Sequence, residues 1–164
     1  MTAVLRDLRP AGLVRWSYER PPEFAPLRAV AALQAWLEHL VLCAATPPSV
    51  SCATQLIGRE AAWRFAALPA PRALLADLLA LYREGLCAPL PFLPESAWAY
   101  VWAEENLEAA RKAWRVTKYQ RWGESADAAH RLAYRGLPEP LDDRFARLAL
   151  QVFGPLREHL VAES

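Results

Sequence analysis

The chain has 164 residues, of which 54% are hydrophobic and 23% charged, and its formal net charge is +1. These values fit one globular, helix-rich domain, and they exclude a disordered tail and a protein that attracts nucleic acid through its overall charge. Any contact with DNA must come from a local patch. The sequence has no signal-peptide pattern and no uncharged run of about 18 residues, so we expect a cytoplasmic protein with no membrane partner.

The first half of the chain predicts hairpins around a helix. Residues 3–18 predict a β-hairpin, because two short apolar runs flank the turn signal RPAG. The segment 27–45 has apolar residues at helical spacing and predicts a helix that ends before the next prolines. Two strands are expected at about 50–57 and 60–67, with the turn at Gly58.

The second half is expected to be helical. The segment ALLADLLALYREGL predicts an amphipathic helix closed by Gly85. After the run PLPFLP, a long helix is expected from about 94 to 118, with Glu95 in its first turn. Its residues Trp98, Tyr100 and Trp102 are spaced like a core face rather than a platform for bases.

Two further helices are expected near the end of the chain. One covers SADAAHRLAYR, with Ser125 or Asp127 as its N-cap, and stops at Gly136. The other begins with DDRFARLALQVF, is capped by one of its two aspartates, and should kink or break at Gly154–Pro155. No repeat, linker or low-complexity segment marks a domain boundary. We therefore expect a single domain over 1–164, and a first strand so close to Met1 suggests a fragment of a larger subunit.

The predicted order of elements is α+β and resembles the PD-(D/E)XK nuclease core, a small mixed sheet flanked by helices, over about residues 1–88, with a helical extension over about 89–164. That family uses an acid on its second strand and an acid-x-Lys pair on its third to hold a divalent cation. Asp7 could supply the first acid. The third-strand position is occupied by Arg15, Trp16 and Ser17. No acid lies two residues before either lysine of the chain, so we expect a degenerate, inactive core with no catalytic residue.

Cysteine and histidine spacing gives little support to a metal site. His39 and Cys43 lie one turn apart with Cys52 nearby, but no CxxC pair or fourth ligand accompanies them. The interpretation favoured is a buried thiol beside a half-exposed imidazole. The three cysteines, which include Cys87, are expected to be buried free thiols, and no cofactor, metal or iron–sulfur cluster is expected.

One segment, RKAWRVTKYQRW, combines basic and aromatic residues and is the candidate nucleic-acid site. Such a patch can neutralise phosphates and offer a stacking surface to an unpaired base. The candidate residues are Arg111, Lys112, Arg115, Lys118, Arg121 and Trp122. The alternative interpretation is the solvated face of a long helix with Trp114 turned toward the core.

Several stretches, in order, resemble one family. They are AWLEHLVLCA, the hairpin around Gly58 that ends in FAALPAP, LLALYREGLCAPLPFLPESAWAY, the GES-AD segment, AYRG and FARLALQVFGPL. Together they resemble the C-terminal domain of the exodeoxyribonuclease V gamma subunit, RecC. Within them, Glu124 and Asp127 look structural, as side chains that satisfy backbone amides.

The resemblance implies a non-catalytic domain of a bacterial helicase–nuclease complex that processes double-strand breaks for homologous recombination. It implies a degenerate nuclease fold that supports DNA binding and strand separation, and that packs against the RecB and RecD subunits. The DNA partner would be a forked duplex or a single strand, bound with low affinity by the isolated domain. Two alternatives remain: a protein-interaction scaffold without DNA contact, and an active metal-dependent nuclease, which the missing acid-x-Lys pair disfavours.

Overall fold

The computed structural model describes residues 4–20, 25–45, 47–59, 61–116, 123–136 and 139–163. A five-stranded sheet runs in the order β1-β2-β3-β4-β5. Its strands are β1 (Leu8–Arg9), β2 (Gly12–Trp16), β3 (Thr54–Ile57), β4 (Ala62–Phe65) and β5 (Leu160–Glu163). The helices of the described residues are α1 (Ala29–Ala45), α2 (Pro71–Cys87), α3 (Pro94–Trp102), α4 (Leu107–Trp114), α5 (Ala128–Ala133) and α6 (Asp143–His159), with a 3₁₀ turn at Glu124–Ala126.

The sheet is mixed. The pairs β1–β2 and β3–β4 are antiparallel hairpins, which confirms both predicted hairpins. Strands β2 and β3 are parallel, with Arg15 opposite Leu56, and α1 is the crossover that a parallel pair needs. The α+β class is confirmed. The likeness to a nuclease core stays a prediction.

The core lies between one face of the sheet and helices α1, α3 and α6. Alternate residues of the strands, such as Leu56 and Phe65, are buried, as expected when one face of a strand is covered. The largest fully buried side chains of the helices include Trp36, Trp98 and Phe153. The rings of Trp98 and Phe153 lie 5.0 Å apart, so α3 and α6 share one aromatic contact. The predicted core face of α3 is therefore confirmed.

The helix expected over 94–118 is wrong in its length. Helix α3 ends at Trp102, and two residues with positive φ, Glu104 at 56° and Glu105 at 62°, reverse the chain. A new helix then starts, because the side chain of Asn106 accepts a hydrogen bond from the backbone N–H of Glu108. The chain turns here so that α4 can pack back on α3.

The predicted stop at Gly85 is wrong, and of the two outcomes expected at Gly154–Pro155 the break does not occur. Gly85 lies inside α2, which continues to Cys87 before Pro89 ends it. The pair Gly154–Pro155 does not break α6, which is helical to His159. The imidazole of His159 donates to the carbonyl of Pro155 at 2.8 Å.

Strand β5 follows α6 directly and was not expected from the sequence. Its residues pair antiparallel with β4, with Ala162 opposite Trp63. The partners are about a hundred residues apart in the chain, so the local sequence carries no turn signal for this pairing. The last strand thus returns the helical half to the sheet.

Candidate functional site

Arg15 lies on β2 at the centre of a small polar cluster. The sequence analysis aligned this position with the third strand of the PD-(D/E)XK nuclease core. Its guanidinium forms an ion pair with Glu38 of α1 and lies 3.7 Å from the Asp7 carboxylate. It also donates to the carbonyl of Arg6 at 2.9 Å. The Arg15 side chain is only 16% exposed, and these three partners hold its guanidinium in place.

The cluster lies beside a cavity of about 430 Å³, lined mainly by polar and charged residues. A divalent cation placed here would meet the fixed positive charge of Arg15, whose guanidinium already pairs with both nearby carboxylates, Glu38 and Asp7. Among the residues that the structure describes, no group of three or more His, Cys, Asp or Glu side chains could hold a metal ion. A metal ion at this position would therefore compete with Arg15 for both carboxylates.

The candidate DNA patch lies partly outside the described residues. Lys118, Arg121 and Trp122 fall in the segment 117–122, which the structure does not describe. Helix α4 ends at Trp114, and Arg115 follows with extended backbone, so the two described arginines do not continue one helical stripe.

Both described arginines of the patch are paired with acids. Arg111 bonds Glu108 one turn earlier, and its Nε lies 3.7 Å from a Glu139 carboxylate oxygen. Arg115 lies 3.4 Å from the other oxygen of Glu139. Lys112 is exposed beside them. A phosphate at this position must therefore compete with Glu139 for both guanidinium groups.

The acidic residues of the GES-AD segment bind helix N-termini. Glu124 accepts from the backbone N–H of Glu95 at 2.8 Å and from the backbone N–H and hydroxyl of Ser96 at 2.7 and 2.6 Å. It thereby caps α3 from 28 residues away, since Leu93 at the N-cap position offers no side-chain acceptor. Asp127 accepts from two amides at the start of α5. The structural role expected for both residues is confirmed.

Burial of the first turn of α3 affects its own carboxylate as well. Desolvation raises the pKa of Glu95, and Arg28, whose Nε lies 3.9 Å from the Glu95 carboxylate, opposes that shift. The Glu124 carboxylate adds to the rise. Two carboxylates therefore share this helix end, with one arginine as a counter-charge.

His39 is fully buried, so the expected half-exposed imidazole is wrong. Its Nε2 donates to the carbonyl of Ala66 at 2.9 Å, which leaves Nδ1 to accept from the Thr54 hydroxyl at 3.0 Å. Desolvation lowers the pKa of His39 to about 4. The neutral ring ties α1 to β3 and to the end of β4, and both ring nitrogens are used in doing so.

The three cysteines differ in exposure. Cys43 is buried, as expected, and desolvation raises the pKa of its thiol to about 11. Cys52 is half-buried and Cys87 is exposed, so the prediction of a buried thiol is wrong for Cys87. Cys87 is exposed because it ends α2, whose outer surface faces solvent.

An apolar groove between α1, α2 and α6 was missed by the sequence analysis. It has a volume of about 640 Å³ and is lined almost entirely by carbon. Leu33 and Leu37 of α1, five leucines and Tyr82 of α2, and Leu148 and Val152 of α6 are among its lining residues. No residue of α2, all of which the structure describes, is fully buried. The signal in the sequence was the excess of leucine in α2, which covers more than the one face that a core requires.

Comparison with known proteins assigns the family. Residues 1–105 match the RecC C-terminal domain family, and the chain belongs to that family. It is 40% identical over 103 residues to the RecBCD enzyme subunit RecC of Escherichia coli (strain K12). This match covers 62% of the chain and 8% of the relative. None of the described helices is both long and apolar enough to cross a membrane.

Proposed function

We propose that this chain is a non-catalytic domain of a bacterial helicase–nuclease complex in the cytoplasm, acting in double-strand break processing and homologous recombination. Membership of the RecC C-terminal domain family supports this proposal. The domain supports DNA binding, strand separation and the assembly of the complex with RecB-type and RecD-type subunits.

The observation that carries the non-catalytic part is the position of Arg15. In a PD-(D/E)XK nuclease the third strand supplies an acid that binds the metal, whereas here a partly buried guanidinium is paired with Glu38 and Asp7. Metal-assisted hydrolysis needs negative ligands that remain available to the ion. Incubating the chain with linear DNA and Mn²⁺ should give no cleavage, and cleavage that persists on repurification and is lost in Asp7→Ala contradicts the proposal.

The DNA part rests on the basic segment of 111–122. Fluorescence anisotropy with a forked duplex should show binding at low salt that weakens steeply as salt rises, because each neutralised phosphate releases counterions. The double variant Arg115→Ala/Lys118→Ala should lose this signal. The double variant Arg83→Ala/Arg147→Ala removes the same charge from exposed positions of α2 and α6 and should keep it.

A protein-interaction scaffold without DNA contact is the second candidate. The pairing of Glu139 with Arg111 and Arg115 favours it, as does the apolar groove, which is the kind of surface that binds a partner helix. Absence of forked-DNA binding at low salt, with retained binding to the other subunits, identifies the scaffold. Replacing exposed Leu86 with Ser should then weaken assembly, whereas Val30→Ser, at an exposed position that does not line the groove, should weaken it less.

A further inference from the structure

A second pocket lies where the end of α4 meets α5, and it combines aromatic rings with arginines. It has a volume of about 640 Å³ and opens widely to solvent. Its lining residues are Trp114, Ser125, Ala128, His130, Arg131, Leu132, Tyr134 and Arg135. Trp114, His130, Tyr134, Arg131 and Arg135 define what we call the ring pocket.

The three rings of the ring pocket are close together, and two of them form hydrogen bonds with backbone carbonyls. The centroids of Trp114 and His130 lie 6.1 Å apart, and Tyr134 meets Trp114 edge-on at 6.4 Å. The Tyr134 hydroxyl donates to the carbonyl of Leu90, and Nδ1 of His130 donates to the carbonyl of Glu124 at 3.1 Å. All three side chains are half-buried, so each keeps part of its ring surface accessible. Two of the three rings, His130 and Tyr134, are therefore held in position by hydrogen bonds to the backbone.

The arginines of the ring pocket differ from those of the basic segment. Arg131 and Arg135 are exposed, and neither forms an ion pair with any acidic side chain of the described residues. Arg111 and Arg115, by contrast, are both paired with Glu139. A ligand could thus reach the positive charge at the ring pocket without displacing an acidic partner that belongs to the described residues.

A flat ligand with flanking negative charge matches this combination. Aromatic side chains stack on the face of an unpaired base, and guanidinium groups bind the phosphates on either side. A double helix presents no free base face, and a purely apolar ligand would leave both arginines unused. We propose that the ring pocket binds an unpaired base of single-stranded DNA, an inference that rests on the proposed DNA role and adds a site to it.

Binding of an oligothymidylate 15-mer at low salt, compared with a 15-mer of abasic sugar phosphates, tests the inference. The two carry the same charge, so phosphate contacts contribute equally and the difference reports contact with bases. The wild-type chain should bind the thymidylate at least fivefold more tightly. His130→Ala and Trp114→Leu should reduce that ratio toward one, since loss of a stacking side chain weakens binding by about fivefold to a hundredfold. Trp114→Phe keeps a stacking ring and should lower the ratio less than Trp114→Leu, which separates loss of stacking from loss of apolar volume.

The charges are tested separately. Arg131→Gln/Arg135→Gln should weaken binding of both oligonucleotides, whereas Arg83→Gln/Arg147→Gln, which removes the same charge elsewhere, should weaken neither by more than about twofold. Equal affinity for thymidylate and abasic strands overturns the inference, as does wild-type binding by the ring-pocket variants. If only Arg111→Ala and Arg115→Ala reduce binding, the DNA role stands and the ring pocket is wrong. If neither oligonucleotide nor a forked duplex binds, both proposals fail.

Discussion

Removal of the Glu124 carboxylate should destabilise the domain far more than its single position suggests. In Glu124→Ala the first turn of α3 loses three hydrogen bonds, two to backbone amides and one to the hydroxyl of Ser96, which is fully buried. A hydrogen bond to a charged group contributes about 1.5–3 kcal/mol, and water can replace part of it where the site is only partly buried. We expect a loss of about 3 kcal/mol.

The size of the loss can be separated from its cause by two variants. Glu124→Gln keeps one oxygen, which can still accept from Ser96, but its amide nitrogen would face the N–H of Glu95. It should therefore cost about half as much as the alanine variant. Glu158→Ala, on the exposed side of α6, removes a glutamate that has no such role and should change stability by less than about 0.5 kcal/mol.

Urea unfolding followed by circular dichroism measures these differences, provided that the dependence on denaturant stays constant among the variants. A loss of about 3 kcal/mol corresponds to a fall in Tm of about 6–12 °C for a chain of this size. If Glu124→Ala unfolds within about 0.5 kcal/mol of the wild type, the three contacts do not hold the α3 terminus, and the structural role assigned to Glu124 is wrong.

Three further predictions concern stability and reactivity. Gly123→Ala should lower stability by about 1–3 kcal/mol, because a Cβ there would lie 2.4 Å from a backbone carbonyl oxygen. Gly154→Ala, which has open space around its Cβ, should be neutral or stabilising by about 0.5 kcal/mol, and thermal unfolding compares the two variants. Burial lowers the folded-state pKa of His39 to about 4 from an ordinary 6.5, so the free energy of unfolding should be highest above pH 6.5 and fall by about 3 kcal/mol as pH drops to 4. His39→Gln should flatten this pH dependence, measured by urea unfolding at each pH. An unchanged slope in that variant would contradict the prediction. A thiol reagent should modify Cys87 rapidly and Cys43 only after unfolding, as mass spectrometry would show, and rapid native labelling of Cys43 would disprove its burial.

Local patterns were enough to predict most of the elements. The hairpins and α1 follow from turn residues and apolar spacing, and these signals act over a few residues. Short motifs likewise narrowed each of two N-caps to a pair of candidates, and the structure selects Asp127 and Asp142, which accept amide hydrogen bonds. The RecC family was identified for the same reason, since YREGL and PLPFLP are short and unusual.

What the sequence could not show depends on contacts between distant residues. The chain breaks after α3 at Glu104 and Glu105, whose backbone is in the left-handed region, although the apolar residues of the sequence keep helical spacing through this segment. Strand β5 pairs with β4, and Glu139 pairs with Arg111, across segments that are far apart in the chain. Hydrophobic periodicity describes single elements and does not show which distant segments meet. For the same reason the ring pocket was not expected: Trp114 and Tyr134 belong to different helical segments that meet only in the folded chain.

Strand β5 is the last element of the chain, yet it pairs with β4 of the first half, so the two halves of the chain do not form separate structural units. The family match ends at residue 105, yet the edge of the sheet next to β4 is completed by 160–163. A protease cut or stop codon after 105 would therefore leave β4, which contains Trp63, as an unpaired edge strand. It would also remove Phe153, whose ring packs against that of Trp98. Such a truncated product should aggregate rather than survive as a minimal domain.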